Sequence, residues 1–167
     1  NAAYTPKTYE GFTHQSGLTE INGTVQQSGT INADGTTVVK LYYKRNEITV
    51  TFNLNGGKIG SDSTSPVERK GKYGAPLTAP TVEKNGYTFS GWQPTPPAPS
   101  LPSTFPAEDA TYTAQWTAGE VSYKVEHYQQ KLDDSYPVAP TDTDTPNGTT
   151  GENAAYTPKT YEGFTHQ

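Results

Sequence analysis

The fifteen residues NAAYTPKTYEGFTHQ stand at positions 1–15 and again, unchanged, at positions 153–167. Chance does not give fifteen identities in a row, so the segment marks a repeat whose period, from residue 1 to residue 153, is 152 residues. The chain is therefore read as one period plus a short overlap, lying within a longer protein that repeats almost without divergence. This constrains the fold before any other residue is considered. Whatever unit contains the segment is split, its downstream part at the start of the chain and its upstream part at the end. It also bears on function: a catalytic site gains little from being copied in series, whereas a spacer or a multivalent binder gains with each copy.

The material between the copies is poor in core-forming residues. Hydrophobic residues make up 31% and charged residues 17%, below the usual shares of roughly 45–50% and 25%. Thr, Gly, Pro, Ser and Asn fill the gap, and 12 tyrosines supply much of the apolar bulk. β-Branched and aromatic residues favour strands, while Gly, Pro and Asn favour turns. The chain is expected to be mostly β, with thin cores and little helix. Net charge is −5, with no basic stripe, which argues against a nucleic-acid partner. No apolar run approaches the length of a membrane span and no signal-peptide core is present. Without Cys or Met, the chain has no disulfide, thiolate nucleophile or zinc–thiolate site.

Two modules are expected within the period. In ITVTFNLNGG, Ile48, Val50 and Phe52 alternate with Thr49, Thr51 and Asn53, the period-two pattern of a half-buried strand, and Asn55-Gly56-Gly57 closes it with a turn. Asn85-Gly86 opens a second strand, NGYTFSGW, in which Tyr87, Phe89 and Gly91 alternate with Thr88, Ser90 and Trp92. ATYTAQW, residues 110–116, closes the module. Six prolines between Pro94 and Pro106 rule out a central strand or helix there and leave an ordered loop or polyproline excursion. VTFNLNGG, Gly74-Ala75-Pro76, GYTFSGW and YTAQW together resemble the internalin B-type, or Listeria–Bacteroides, repeat over roughly residues 47–117. That resemblance implies a small β-grasp-like fold on a secreted, wall-attached bacterial protein. Trp92 and Trp116 are both expected in its core.

The second module straddles the repeat boundary. Val121, Tyr123, Val125 and His127 alternate with Ser122, Lys124, Glu126 and Tyr128, and Thr37–Tyr43 reads as a closing strand with Val39, Leu41 and Tyr43 on one face. The opening Val121–Val125, the step Gly151–Thr157 with Tyr161–Phe164, and the closing Thr37–Tyr43 are similar to the mucin-binding-protein repeat. That similarity implies another β-grasp-like module, of a kind found in Gram-positive adhesins. The organisation is thus 1–46 as the C-terminal part of one such module, 47–118 as the internalin B-type module, and 119–167 as the N-terminal part of the next: two small elongated modules in tandem. Complementation is expected head to tail, residues 16–45 of one copy pairing with 121–152 of the next.

No catalytic, cofactor or metal site emerges, and the chain is read as non-enzymatic. His14, His166 and His127 lie singly near strand ends. Glu108-Asp109 and Asp133-Asp134 read as solvated turn acids. The run from Asp142 to Gly148 fails as a calcium loop, with Pro146 at position 5 and Asn153 at position 12, although Asp142 and Asp144 remain candidates for a looser site. Lys124 and Lys40, with Glu126 as proton shuttle, are the candidates for an isopeptide staple, but both lysines read as solvent-facing. Asn22-Gly23-Thr24 and Asn147-Gly148-Thr149 read as turns. Tyr123, Tyr128, Tyr156 and Tyr161 are candidates for stacking on glycans, set against an ordinary role in packing and bridging strands. Two functions follow: a stalk on the bacterial surface that presents an adhesive head, or an array whose repeats each engage mucin or another host glycan. Neighbouring repeats are the expected partners in either case.

Overall fold

The computed structural model describes residues 3–166; Asn1, Ala2 and Gln167, at the outer ends of the two repeat copies, lie outside the described residues. Strands take up 37% of the chain and helix 2%, so the protein is mostly β. The described strands are β1 (Phe12–His14), β2 (Glu20–Ile21), β3 (Thr24–Val25), β4 (Val39–Lys40), β5 (Tyr43–Arg45), β6 (Glu47–Asn53), β7 (Val67–Lys72), β8 (Tyr87–Pro94), β9 (Ala110–Ala118), β10 (Glu120–Ser122), β11 (Val125–His127), β12 (Asp142–Asp144) and β13 (Asn147–Thr149). The chain divides into two units, Asn1–Val82 with Gly91–Gln115, and Glu83–Ser90 with Trp116–Gln167, so β8 and β9 contribute residues to both.

The largest sheet has the order β7-β6-β9-β8. The strands that come first and last in sequence within it, β6 and β9, are parallel neighbours with Val50 opposite Ala110 and Phe52 opposite Tyr112. The alternation in β6 does what its sequence dictates: Ile48, Val50 and Phe52 are buried, Ala110 and Tyr112 of β9 line the same core, and Ala114 is buried further along β9. Leu77 and Phe105 complete it, with Trp92, Leu101 and Ala98 packed against it. The turn after β6 falls where Asn55-Gly56-Gly57 places it, with positive φ at Asn55 and Gly56 and the Gly57 N–H donating to the Leu54 carbonyl at 2.9 Å. The proline-rich stretch is an ordered loop. It is tied to residues 74–77 by the Leu77 N–H to the Ser103 carbonyl and the Phe105 N–H to the Ala75 carbonyl. The Phe105 ring lies where a Cβ on Gly71 would fall.

Three expectations differ from the structure. Trp92 and Trp116 do not share one core, and the rings they meet differ. Phe89 meets Trp116 at 5.5 Å between ring centroids, and Trp92, three residues on, meets Phe52 at 4.8 Å. Trp116 accordingly stands outside the buried cluster that Trp92 joins. The closing strand Thr37–Tyr43 is broken, because β4 pairs with β2 while β5 pairs with β1. The opening strand is broken likewise: β10 pairs with β13 and β11 with β12. In both stretches the side-chain alternation continues across the break while the pairing partner changes.

Candidate functional site

Asp142 and Asp144 are two apart in β12 and so share one face of the strand. The antiparallel register sets His127 of β11 opposite Asp142, and His127 Nε2 lies 3.1 Å from Asp144 Oδ2. The second repeat copy then crosses this face. The Lys159 ammonium donates to Asp142 Oδ2 at 2.7 Å and to Asp144 Oδ1 at 2.5 Å. The Tyr161 hydroxyl donates to Asp142 Oδ2 at 3.4 Å, and its ring stands edge-on to His127, centroids 6.1 Å apart.

The electrostatics follow from this geometry. Hydrogen bonds from Lys159 hold both carboxyls below the usual aspartate range. Hydrogen bonds to Asp142 and Asp144 raise the Lys159 ammonium above its ordinary value. Desolvation, then the Asp142 charge, pushes the Tyr161 hydroxyl up. At neutral pH the lysine stays protonated and the two aspartates stay ionised. This trio moves no proton there, and its chemistry is that of a charged fastening.

An open groove of about 900 Å³ runs beside the fastening, with Tyr128, Tyr156, Tyr161, His127 and Phe164 in its lining. Three of the four candidate tyrosines are thus brought together. The fourth, Tyr123, lines a neighbouring hollow of about 550 Å³, shares it with Tyr156, and donates its hydroxyl to the Ala155 carbonyl. The Tyr128 hydroxyl donates to Glu126 at 2.7 Å, which raises its pKa.

The isopeptide candidates have other engagements. Lys40 donates to Glu20 at 3.1 Å, Glu126 accepts from Tyr128, and Lys124 is exposed between β10 and β11. Among the described residues no group of three or more His, Cys, Asp or Glu side chains is placed to hold a metal ion, and the Lys159 ammonium itself bridges Asp142 and Asp144. No described helix is long and apolar enough to cross a membrane.

Lys159 is the residue that sequence reasoning passed over. The Asp-x-Asp spacing signals two carboxylates on one strand face, but nothing local indicates that a cation 15 residues further on will bridge them.

No curated protein and no solved structure matches the chain. Residues 49–96, which run from β6 through the turn at Asn85-Gly86 to just past the end of β8, match the family model described as the Listeria-Bacteroides repeat domain.

Proposed function

We propose that this chain is one period of a tandemly repeated, secreted protein of the bacterial surface, and that its repeats act as a spacer presenting an adhesive part away from the cell. The observation that carries the reading is the unchanged recurrence of fifteen residues at an offset of 152, from residue 1 to residue 153. It is supported by the match of residues 49–96 to a repeat that occurs in bacterial surface proteins. A spacer needs stiffness at each period and no chemistry. The sheet built on β6 and β9 supplies a rigid element, and the Lys159 fastening is electrostatic. Catalysis has no part in this reading.

A second reading is favoured by one observation, the grouping of Tyr128, Tyr156 and Tyr161 along a single groove. Aromatic rings on an open groove suit stacking on sugar faces, and the similarity of the split module to mucin-binding-protein repeats points to host glycans. Chains of one, two and four periods separate the two readings. A spacer gives end-to-end distances that grow in proportion to copy number, with no signal on an array of mucin-type glycans. Glycan binding that strengthens with copy number, and is lost in Tyr128→Ala or Tyr161→Ala, overturns the spacer reading in favour of the second.

A further inference from the structure

The two copies of NAAYTPKTYEGFTHQ have the same local shape and different surroundings. In each, a turn closes with the phenylalanine N–H donating to the tyrosine carbonyl three residues earlier: Phe12 to Tyr9 and Phe164 to Tyr161, both at 3.1 Å. The intervening glycines have φ of 72° at Gly11 and 78° at Gly163. Beyond that turn the copies are used through different atoms. The first is held from downstream: β1 pairs with β5, the Lys7 N–H donates to the Tyr43 hydroxyl at 3.0 Å, Tyr9 stands edge-on to Tyr43 at 4.8 Å, and Arg45 lies over Phe12. The second is held from upstream, by the Lys159 ammonium on Asp142 and Asp144, Tyr161 against His127, and the Ala155 carbonyl under the Tyr123 hydroxyl.

These two sets of contacts draw largely on different hydrogen-bonding atoms. The lysine gives its backbone N–H to one and its ammonium to the other. The tyrosine meets Tyr43 in one and His127 in the other. The Gly-Phe-Thr-His stretch forms strand pairs only in the downstream set, whereas in the second copy it lines the groove beside residues 125–132, and the alanine carbonyl serves only the upstream set. One copy of the segment carries the hydrogen-bonding groups that both sets use.

The flanks are also incomplete alone. No residue from Trp116 to His166 is among the buried hydrophobics, and Val121, Tyr128, Leu132, Val138 and Phe164 are exposed there. β10–β13 and β11–β12 are two-stranded ladders, which are marginal in water without further packing. On the other flank Leu18, Val25, Ile31 and Val38 are exposed.

We propose that the face formed by β10 to β13 is a docking surface for residues 3–46 of a second copy of this chain. The incoming 3–15 segment takes the place of residues 153–166, and its Lys7 ammonium takes over Asp142 and Asp144. Residues 153–166 are the part that yields, because they have no strand pairing and are largely exposed, whereas β1 stays paired with β5 and travels with it. The contact is heterologous and does not close, so it propagates. In a tandem array the same joint forms between consecutive periods, each interior copy of the segment serving both flanks. The proposal holds equally for a spacer or a glycan binder.

The test is sedimentation equilibrium of the full chain from micromolar to millimolar concentration, for the wild type, Lys7→Ala and Lys159→Ala. The tethered 153–166 segment competes at high effective concentration, so the wild type should associate weakly. Lys159→Ala weakens the competitor and should tighten association several-fold. Lys7→Ala weakens the incoming segment and should loosen association several-fold while leaving the monomer's melting temperature unchanged. Free NAAYTPKTYEGFTHQ peptide should dissociate the oligomers. Strict monomers of the wild type and Lys159→Ala at millimolar concentration, equal effects of the two substitutions, or oligomers indifferent to the peptide would each overturn the proposal.

Discussion

Phe52 and Trp92 meet edge to face, with ring centroids 4.8 Å apart and planes inclined at 66°. Phe52 also stacks on Tyr112 at 5.9 Å. Three aromatic rings from three strands therefore fill the centre of a core that has few other large side chains. Such a core depends heavily on each of them. Trp92→Ala should destabilise the protein by about 3 kcal/mol, the lower end of the range for removing a large aromatic, because Trp92 is half-buried. Trp116→Ala, outside that cluster, should cost clearly less. Urea titrations followed by circular dichroism check both, and equal losses would show that the two tryptophans share one core after all.

Tyr112 is fully buried, and its hydroxyl has no hydrogen-bond partner among the described residues. Burial alone raises its pKa. A buried hydroxyl without a partner carries a desolvation cost of about 1–3 kcal/mol, which phenylalanine does not incur. Tyr112→Phe should therefore leave stability unchanged or raise it by about 1 kcal/mol. A loss of more than about 1 kcal/mol in thermal or urea unfolding would mean that the hydroxyl is satisfied in solution.

What the sequence makes legible here is the part whose partners are close or whose faces are unambiguous. Ile48, Val50 and Phe52 alternate with polar residues, and burial of one face leaves no other register open. Asn55-Gly56-Gly57 carries its own backbone requirement. The placing of the two tryptophans is less visible, because a period-two pattern sets a face without naming the ring it meets. Least legible are the pairings of short strands. Val39, Leu41 and Tyr43 alternate evenly, yet the ladder partner changes from β2 to β1 between them, and pairing depends on chain that returns from elsewhere. The same holds for the candidate site: the tyrosines are recognisable as amphipathic, but their gathering around one groove depends on how residues 128–166 fold back.

The two copies of the repeat allow one substitution to be tested in two environments within one molecule. Gly11 and Gly163 both have positive φ, so alanine at either costs about 1–2 kcal/mol in backbone strain. At Gly163 nothing lies within 4 Å of an added Cβ, whereas at Gly11 the Cβ would overlap the Tyr73 ring. Gly11→Ala should thus destabilise the first unit by more than strain alone and should disturb the edge-on contact of Phe12 with Tyr73, centroids 5.8 Å apart. Gly163→Ala should leave global stability nearly untouched, because residues around it are exposed. Thermal unfolding of the two variants decides, and the idea fails if Gly163→Ala is the more damaging.

The same pair of copies gives a prediction for pH. Asp142 and Asp144 are held below their ordinary range chiefly by Lys159. Their contribution is therefore fully present above the unfolded aspartate value of about 3.9, and it is lost as pH falls through the lower folded values. Lys159 is raised, so its contribution is present below the free lysine value of about 10.4 and is lost as pH rises beyond it. Attachment of the second copy should therefore loosen as pH falls below about 4 and as it rises beyond about 10. The groups are partly exposed, so the effect should shrink with added salt. The first copy is held by ring contacts and backbone hydrogen bonds, so it should not follow the acid limb. Backbone NMR shifts of Phe164 and Phe12, compared with those of the free fifteen-residue peptide, give the measurement. Below about pH 4, Phe164 should move toward its peptide value while Phe12 stays. Joint movement of both on acidification would show that the carboxylates do not fasten the segment.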